Sequence, residues 1–496
     1  MDRIREKELF DLETRELTRL DWLLRPVPTK ILIVTDGGGS FDSVASFGLG
    51  RAITAMRTDP WWWVRFDITT AHRTSGARFE DAAVPHHDNF HFDSPPVALS
   101  SFDQIWLFGV TGAFDALPLG ELAALRAFMD GGGGVLAMGD HADLGAGLCS
   151  ELPRVKEMRR WKSGGPAGAP PPQSGVNRHD TCREGPSAGF QFNDQSDEVP
   201  QKIVPRLYHV WSPFVFIDRR RPHPVLCGRT GVIDILPDHM HEGEIVAPAS
   251  VAGNADWPGG QGPEVIAWAD VIPHTNTDGF GPVNGKRFGV LGAYEGHAQG
   301  VGRIVVDATW HHWFNINLLG FPAGATVDRI HNYYWNVGLW LSRSATISAM
   351  AYRAAHGLIF TPPFRELTAD APILVLGGAA VDALGRRASQ CTVSQFVHGF
   401  YDRALQEAVR LPIPQPDPPP FRGPYLHEQF ALGGVMKVLL EKFSPLQRPA
   451  RAPEEKELQR LVQEGVRQGW KEMAAFEKGS SELMEKVFKA ASGELK

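Results

Sequence analysis

The chain has 496 residues, of which 43% are hydrophobic and 22% are charged, a balance typical of globular proteins. This composition excludes global disorder, a collagen-like fibre and a disulfide-rich miniprotein. The formal net charge of −7 argues against general affinity for nucleic acid or for an anionic membrane surface.

Signals of compartment and anchoring favour the cytoplasm. Cys149, Cys182, Cys227 and Cys391 lie far apart and form no CxxC pair, as expected in a reducing compartment. Residues 1–25 are charged throughout and lack the apolar core of a signal peptide. No run of about 18 apolar residues occurs, so we expect no transmembrane helix and no membrane partner.

The first third of the chain alternates between predicted helices and strands. Residues 1–25 predict a helix that Pro26 and Pro28 end, and 1–27 form the N-terminal helical segment. Apolar runs then predict strands at 30–35, 62–68, 102–109 and 134–139, with helices at 42–57 and 118–130. Such alternation is typical of an α/β fold with a parallel sheet. We expect the strands at 31–35, 103–109 and 134–139 to be adjacent and parallel.

An irregular segment interrupts this alternation at residues 150–205. Its Pro- and Gly-rich, polar sequence has no periodicity and predicts an insertion over one face of the sheet. Strand character returns at 211–217, 225–236 and 264–272, and a final strand pair is predicted at 288–292 and 302–307.

The remainder of the chain is predicted to be mainly helical. Apolar residues at helical spacing run through 328–357, a short strand-like piece follows at 372–377, and a helix is predicted at 393–409, all within a region of 328–410. Residues 411–424 are a Pro-rich linker, and 425–496 form a helical tail.

The helical tail carries an apolar stripe that must be covered by other residues. Leu458, Leu461, Val462, Val466, Trp470, Met473 and Phe476 share a helical face, and a shorter helix beyond 478–480 repeats the pattern. The stripe packs either on its own chain or on another subunit. The second interpretation predicts a homo-oligomer through the C-terminal helices.

Histidines and carboxylates concentrate in the second half of the sheet region. The densest cluster is Asp238, His239, His241, Glu242 and Glu244, followed by His297 and His311. Imidazole and carboxylate ligands suit zinc, iron or manganese. The spacing fits no H-E-x-x-H motif, so a hydrogen-bonded polar loop and metal-free acid–base catalysis remain alternatives.

A second group of polar residues follows the strand at 134–139. Asp140, His141 and Asp143 lie at the carboxyl end of a predicted central strand, where open parallel sheets bind ligands. Asp140 or His141 is a candidate base, nucleophile or ligand. The structural alternative makes Asp143 a helix N-cap and Asp140 a turn residue.

The loop after the first strand is a weaker candidate. Asp36, Gly37, Gly38 and Gly39 could present backbone N–H groups to a ligand, although a plain tight turn is the favoured interpretation. The loop matches neither G-x-G-x-x-G nor a Walker sequence, so no nucleotide cofactor is expected. Cys149 has no adjacent histidine and is a poor candidate nucleophile.

Three short patterns, in this order, resemble the ThuA-like (trehalose-utilisation) proteins of the class I glutamine amidotransferase-like superfamily. They are Gly131–Val135 followed by Asp140 and His141, His223–Val225 followed by 238–244, and Gly302–Ile304 followed by His311. The resemblance covers about 30–325 and implies a flavodoxin-like parallel sheet, a polar site near His141, Glu242 or Glu244 and His311, and a sugar-like substrate. The G-x-C-x-G elbow is missing, so the glutaminase triad is not supported.

These observations favour an enzyme, a hydrolase or lyase acting on a small polar substrate. Asp140, His141, Glu242 and His311 are the candidate catalytic residues. Asp36, Gly38, Asp143 and His297 are candidate substrate contacts, and His239, His241 and Glu244 are candidate ligands of one divalent metal. The alternative is a non-catalytic binding or assembly protein built on a degenerate amidotransferase-like domain.

Overall fold

The fold of the chain was obtained as a computed structural model. It describes residues 25–58, 63–112, 115–164, 169–170, 200–210, 219–229, 231–237, 243–271, 274–275, 282–283, 286–386, 388–400, 425–443 and 452–491. The fold is mixed α/β, with a central, mostly parallel sheet and flanking helices. The predicted N-terminal helix and Pro-rich linker lie outside the described residues, as do most of the insertion and the 238–242 part of the His/Glu cluster.

The central sheet has eleven strands. In chain order they are β1 Val27–Thr35, β2 Val64–His72, β3 His86–His87, β4 Gln104–Phe108, β5 Gly134–Met138, β6 Arg159–Arg160, β7 Val204–Pro205, β8 Glu244–Ile245, β9 Glu264–Val271, β10 Lys286–Tyr294 and β11 Ile304–Asp307. The main path is β3-β2-β1-β4-β5-β11-β10-β8-β6, while β9 pairs with β10 and β7 pairs with β9.

The parallel half of the sheet runs from β3 to β11. Its five longer strands, β2, β1, β4, β5 and β11, follow the order 2-1-3-4-5, which is compatible with a flavodoxin-like fold. The predicted adjacency of β1, β4 and β5 is confirmed. The strands β4, β5 and β11 are buried on both faces and are mainly apolar, as is Ile31–Val34 of β1, whereas β2 alternates between buried and more exposed residues.

The other half of the sheet is antiparallel. β10 pairs antiparallel with β11, β9 and β8, and β8 pairs antiparallel with β6. The segment at 150–205 was predicted to lie over one face of the sheet. Its two ends instead contribute the strands β6 and β7 to the sheet itself. Further two-stranded ladders join Leu207–Val210 to Arg219–Pro222, Cys227–Gly228 to Gly231–Val232, Gln201–Lys202 to Ile235–Leu236, and His274–Thr275 to Pro282–Val283.

Eleven helices are described. They are α1 Gly50–Thr58, α2 Leu119–Asp130, α3 Ala146–Cys149, α4 Asn315–Leu318, α5 Ala325–Trp340, α6 Ser344–Leu358, α7 Pro362–Glu366, α8 Ile373–Gly385, α9 Gln390–Phe400, α10 Tyr425–Lys442 and α11 Glu455–Ala491. Short 3₁₀ turns occupy Leu99–Ser101, Val155–Glu157, Pro224–Leu226, Pro258–Gly260, His297–Gln299 and Trp310–His312. Among the described residues, no helix combines the length and apolarity needed to cross a membrane.

The C-terminal helices differ from the sequence prediction in three places. The predicted strand-like piece at 372–377 is wrong, because it begins α8, where Ile373, Leu376, Ala380 and Leu384 are buried at helical spacing. The predicted helix over 328–357 is two helices, α5 and α6. The predicted break at 478–480 is absent, since α11 continues through Gly479.

Candidate active site

The carboxyl ends of five parallel strands form one edge of the sheet. His72, Thr35, Phe108, Met138 and Asp307 are in register across β2, β1, β4, β5 and β11. The strand order reverses between β1 and β4, which is where sheets of this order bind their ligands. Candidate functional groups are therefore those that follow these five residues in the chain.

Asp140 and His141 form a hydrogen-bonded pair just beyond β5. The Oδ2 atom of Asp140 lies 2.9 Å from Nδ1 of His141. The Asp140 side chain is buried, whereas the His141 side chain is 28% exposed. A carboxylate in this position favours the tautomer with a proton on Nδ1, which leaves Nε2 as the ring nitrogen that can accept a proton.

The turn that presents this pair is tight. The backbone N–H of Asp140 donates to the carbonyl of Leu144, and Ala142 has a φ of 54°. Gly145 has a φ of 89°, and a Cβ there would lie 2.3 Å from the carbonyl oxygen of Gly109. A non-Gly residue with positive φ is uncommon and often marks a functional turn.

Arg159 links the carboxyl ends of β5 and β11 through hydrogen bonds. Its guanidinium donates to the backbone carbonyls of Asp140 and, at 2.9 Å, of Asp307. Gly243 packs against the same groups, since a Cβ there would lie 2.1 Å from Nη2 of Arg159 and 3.1 Å from the Asp140 carbonyl. The segment that follows Glu242 therefore reaches the Asp140–His141 turn.

His311 belongs to the 3₁₀ turn after β11 and lies on the same edge of the sheet. Its side chain is buried, and its Nδ1 lies 2.7 Å from Oδ1 of Asn317. The ring packs on Trp310 at a centroid distance of 4.0 Å and meets the edge of Phe47 at 5.8 Å. Trp310 in turn donates its backbone N–H to Gly139, which places this turn beside the end of β5.

The neighbouring His312 has a structural role that the sequence did not reveal. Its Nδ1 lies 2.6 Å from Oδ1 of the buried Asp307, and its Nε2 lies 2.9 Å from Oε1 of Gln201. Asp307 also accepts hydrogen bonds from Trp313 and Tyr333. Every member of this network is buried, so it stabilises the core and does not face a ligand.

The Gly loop after β1 is a closed turn. Asp36 is buried, and its carboxylate accepts hydrogen bonds from the backbone N–H groups of Gly38, Val110 and Thr111. Burial raises the pKa of Asp36 in spite of these donors. The Gly38 N–H is therefore already bonded to Asp36, as in the tight-turn interpretation, and contact of these two residues with a substrate stays a prediction.

Asp143 and Glu244 are both engaged by neighbouring side chains. Asp143 accepts hydrogen bonds from the backbone N–H and hydroxyl of Ser163 at 2.9 and 3.0 Å. It is not the helix N-cap, which is Gly145. Glu244 on β8 lies 3.5 Å from Nε of Arg160 on the adjacent β6.

His297 lies at the opposite edge of the sheet from His141. Because β10 is antiparallel to β11, its carboxyl end adjoins the start of the parallel strands, where Gly296 packs on the carbonyl of Gly302. The length of a five-residue strand, roughly 13 Å or more, separates the two edges. The expected substrate contact of His297 with the Asp140–His141 site is thus not formed. Burial lowers the pKa of His297 to about 3.

His239, His241 and Glu242 lie outside the described residues. Cys149 is buried, and its thiol donates to the carbonyl of Met138. Burial raises the pKa of Cys149 to about 12, which leaves no reactive thiolate.

The sequence interpretation missed a group of two histidines and an aspartate at the end of β2. His72, His86 and Asp88 bring ligand atoms within 4.8 Å of one another. The available signal was the His86-His87-Asp88 triplet. It was missed because β2 was predicted to end at Ile68, whereas the strand continues to His72.

No protein-family model matches the chain, and no curated protein matches it. Among solved structures, the chain is similar to a protein from Bacteroides uniformis ATCC 8492 that is described as ThuA-like, with 13% sequence identity and a TM-score of 0.29. That likeness covers 64% of this chain and 94% of the other. At this level of similarity it carries no argument about function, which must come from the site itself.

Proposed function

We propose that the chain is an enzyme, a hydrolase or lyase that acts on a small polar substrate at the carboxyl edge of its sheet. The observation that carries this proposal is the 2.9 Å hydrogen bond between a buried carboxylate, Asp140, and a partly exposed imidazole, His141. A histidine oriented by a carboxylate is suited to general acid–base catalysis near neutral pH.

In this proposal each group has a distinct role. His141 takes a proton from the substrate or from a water molecule through Nε2. Asp140 fixes the ring and stabilises the imidazolium that forms. His311 completes the wall of the site beside Trp310. His239, His241, Glu242 and Glu244 supply a divalent metal site or polarise the substrate, an assignment that gains support from the position of Gly243 against Asp140 and Arg159.

We also assign the sheet region to a flavodoxin-like, ThuA-like domain of the class I glutamine amidotransferase-like superfamily. The strand order 2-1-3-4-5 supports this assignment, as does the position of Asp140–His141 and His311 after adjacent strands. The same assignment suggests a carbohydrate-derived substrate. The buried Cys149 argues against glutaminase chemistry.

A substrate screen with matched variants tests the proposal. The wild-type chain, His141→Gln, Asp140→Asn and the control His91→Gln are incubated with sugars, sugar acids, esters and amides, and products are followed by mass spectrometry. We expect a turnover that His141→Gln lowers by about 10²–10⁴-fold, the usual contribution of general acid–base catalysis. The side chain of His91 is 53% exposed and lies 3.3 Å from Glu121, so His91→Gln, which removes an imidazole outside the Asp140–His141 pair, should leave the rate unchanged.

A turnover that survives His141→Gln would show that the pair is not catalytic. A chain that binds sugars without converting any of them would support the alternative, a non-catalytic binding or assembly module. Cys149 is the described cysteine that follows β5 most directly, and its burial favours that alternative, since it removes the superfamily's nucleophile. The metal part of the proposal fails if His239→Ala and His241→Ala leave the metal content unchanged.

A further inference from the structure

Three side chains converge beside the Gly loop at the edge formed by β2 and β3. β2 ends at His72, and the short β3 runs parallel to it, with His86 opposite Thr70 and His87 opposite Ala71. Asp88 follows β3 directly. His72 is fully buried, the side chain of His86 is 4% exposed and that of Asp88 is 27% exposed.

We propose that His72, His86 and Asp88 bind a divalent transition-metal ion of the zinc type. Nδ1 of His72 lies 3.3 Å from Nε2 of His86, which lies 3.1 Å from Oδ1 of Asp88, and the third side of the triangle is 3.9 Å. A point equidistant from atoms so placed lies about 2.0 Å from each, which matches the ~2.0–2.2 Å bonds of zinc to imidazole and carboxylate.

Each of the three proposed ligand residues also makes a hydrogen bond through its other polar side-chain atom. The other ring nitrogen of His72, Nε2, lies 3.1 Å from the carbonyl oxygen of Gly39, and Nδ1 of His86 lies 2.8 Å from the hydroxyl of Thr70. Arg78 donates to Oδ2 of Asp88 at 2.8 Å. Metal-binding histidines nearly always donate their second N–H to such a group, which fixes the tautomer that leaves the other nitrogen to the metal.

Packing keeps the two imidazoles in this arrangement. The ring of Phe41 meets His72 and His86 edge-on at centroid distances of 4.7 and 5.7 Å. Only Asp88 faces solvent to any extent, so a cation would enter from that side and keep a water molecule as its fourth ligand. Two nitrogens and one oxygen favour zinc, cobalt, nickel or copper over magnesium or calcium, which prefer oxygen ligands.

This site is separate from the Asp140–His141 pair. His72 and Met138 are in register across three strand spacings, about 14 Å at ~4.8 Å per spacing. One small substrate cannot reach both, so the inference does not depend on the proposed function. A metal here would join β2, β3 and the Gly39 loop, and would therefore stabilise this edge of the fold.

The close approach of His72, His86 and Asp88 has a competing explanation, in which a hydrogen bond and not a metal ion joins them. In that case Nε2 of His86 carries a hydrogen shared between Asp88 and His72, and Thr70 donates to Nδ1 of His86. The hydrogen-bond distances permit it, so only a metal measurement separates the two.

The test uses the full-length chain, stripped with a chelator and titrated with Zn²⁺ or Co²⁺. Bound metal is measured by elemental analysis, affinity by calorimetry, and coordination by the visible absorption of the cobalt form. The variants are His86→Gln and Asp88→Asn. The control is His87→Gln, which removes an imidazole from the same strand whose Nε2 is not part of the triangle.

We expect one equivalent of metal at this site, a higher thermal midpoint with Zn²⁺, and a loss of affinity of about tenfold or more in His86→Gln and Asp88→Asn but not in His87→Gln. Thr70→Val should weaken binding by about 10–100-fold, as loss of an outer partner does. A wild-type chain that binds neither ion overturns the inference. So does binding that His86→Gln leaves intact and that His239→Ala and His241→Ala abolish.

Discussion

The backbone N–H of Trp310 donates to the carbonyl oxygen of Gly139 at 3.2 Å. This bond joins the turn after β11 to the residue that precedes Asp140. The hydrogen bonds of Arg159 to the carbonyls of Asp140 and Asp307 join the same two strand ends a second time. The Asp140–His141 pair and the His311 turn are therefore fixed relative to each other, as a shared site requires.

The buried carboxylate of Asp307 should be essential for the stability of this edge. It lies 2.6 Å from Nδ1 of His312 and accepts hydrogen bonds from the indole N–H of Trp313 at 3.0 Å and the hydroxyl of Tyr333 at 2.7 Å. We expect Asp307→Asn to lower the free energy of unfolding by about 3 kcal/mol, because it leaves buried donors without an acceptor. Urea denaturation measures this loss.

The matched control for Asp307 is Asp270→Asn. Asp270 pairs with Arg287 on the surface, and both side chains are about half exposed. Surface ion pairs contribute about 0–1 kcal/mol, so this variant should unfold close to the wild-type midpoint. Equal losses in the two variants would contradict a specific role for the Asp307 network.

The sequence predicted the parallel half of the sheet well because most of its strands are apolar runs between turns. Ile31–Val34 and Val135–Met138 have no solvent-exposed face, and this pattern is local. In the antiparallel half the sequence predicted the longer strands β9 and β10 but not the short ones. β6, β7 and β8 are two residues long, and they pair only because distant segments approach one another.

For the candidate site too, the sequence predicted the features that depend on local pattern and missed those that depend on strand pairing. The position of Asp140 and His141 at the end of β5 could be predicted because they directly follow a strand with a clear apolar pattern. His297 was predicted to lie at the same edge of the sheet as His141, but it lies at the opposite edge. The direction of β10 follows from its antiparallel pairing with β11, and the local sequence does not reveal that pairing. His72 was overlooked because the polar end of β2, Thr69-Thr70-Ala71-His72, lacks the apolar pattern of its beginning.

His356 on α6 is a buried imidazole whose removal should stabilise the fold. Neither ring nitrogen has a hydrogen-bond partner in the described part of the chain, and the ring packs against Phe360 and Phe443. An unsatisfied buried polar group costs about 1–3 kcal/mol. We expect His356→Leu to raise the free energy of unfolding at pH 7 by about 1 kcal/mol, measured by urea denaturation.

The same residue makes stability depend on pH. Burial, helped by Arg353, lowers the pKa of His356 to about 3, whereas an unfolded histidine titrates near 6.5. Between these values the unfolded chain binds the proton and the folded chain does not, so stability falls as pH falls through this window. His356→Leu and His356→Gln should both reduce this slope by up to about 1.4 kcal/mol per pH unit.

The two His356 variants separate the two effects. His356→Gln removes the titration but keeps buried polar atoms, so only His356→Leu should gain stability at pH 7. His223 and His297, whose pKa values burial also lowers to about 3, leave part of the acid slope in both variants. An unchanged slope in both would show that the folded chain accepts the proton at this site.

Gly465 lets helices α10 and α11 approach closely. A Cβ at Gly465 would lie 2.4 Å from the Cα of Val435, and one at Gly434 would lie 2.1 Å from the carbonyl oxygen of Gly465. Alanine favours helix over glycine by about 1 kcal/mol, yet we expect Gly465→Ala to destabilise the fold by about 1–3 kcal/mol through overpacking. Thermal and urea denaturation both report the change.

Gly479 on the same helix supplies the control. It is exposed, and a Cβ there would have no heavy atom within 4 Å. Gly479→Ala should therefore stabilise α11 by up to about 1 kcal/mol through helix propensity alone. Opposite signs for the two Gly→Ala changes would confirm the close contact, and two stabilising changes would refute it.

The end of α11 carries an apolar stripe for which we predict a second copy of the chain as the partner. The first part of the helix is covered by its own chain, since Leu458, Val462 and Val466 are buried. Beyond it, Phe476, Leu483, Met484 and Val487 are 45–61% exposed on one face.

The spacing of this stripe favours self-association. Phe476, Leu483 and Val487 are separated by seven and four residues, the repeat with which helices form coiled coils. We expect the full-length chain to be a homo-oligomer in light scattering at micromolar concentration. Leu483→Glu should lower the measured mass towards that of the monomer, because it places a charge in the seam. Ser481→Glu adds the same charge away from the stripe and should leave the mass unchanged. A wild-type chain that is already monomeric, or a mass that both variants lower equally, would contradict association through this face.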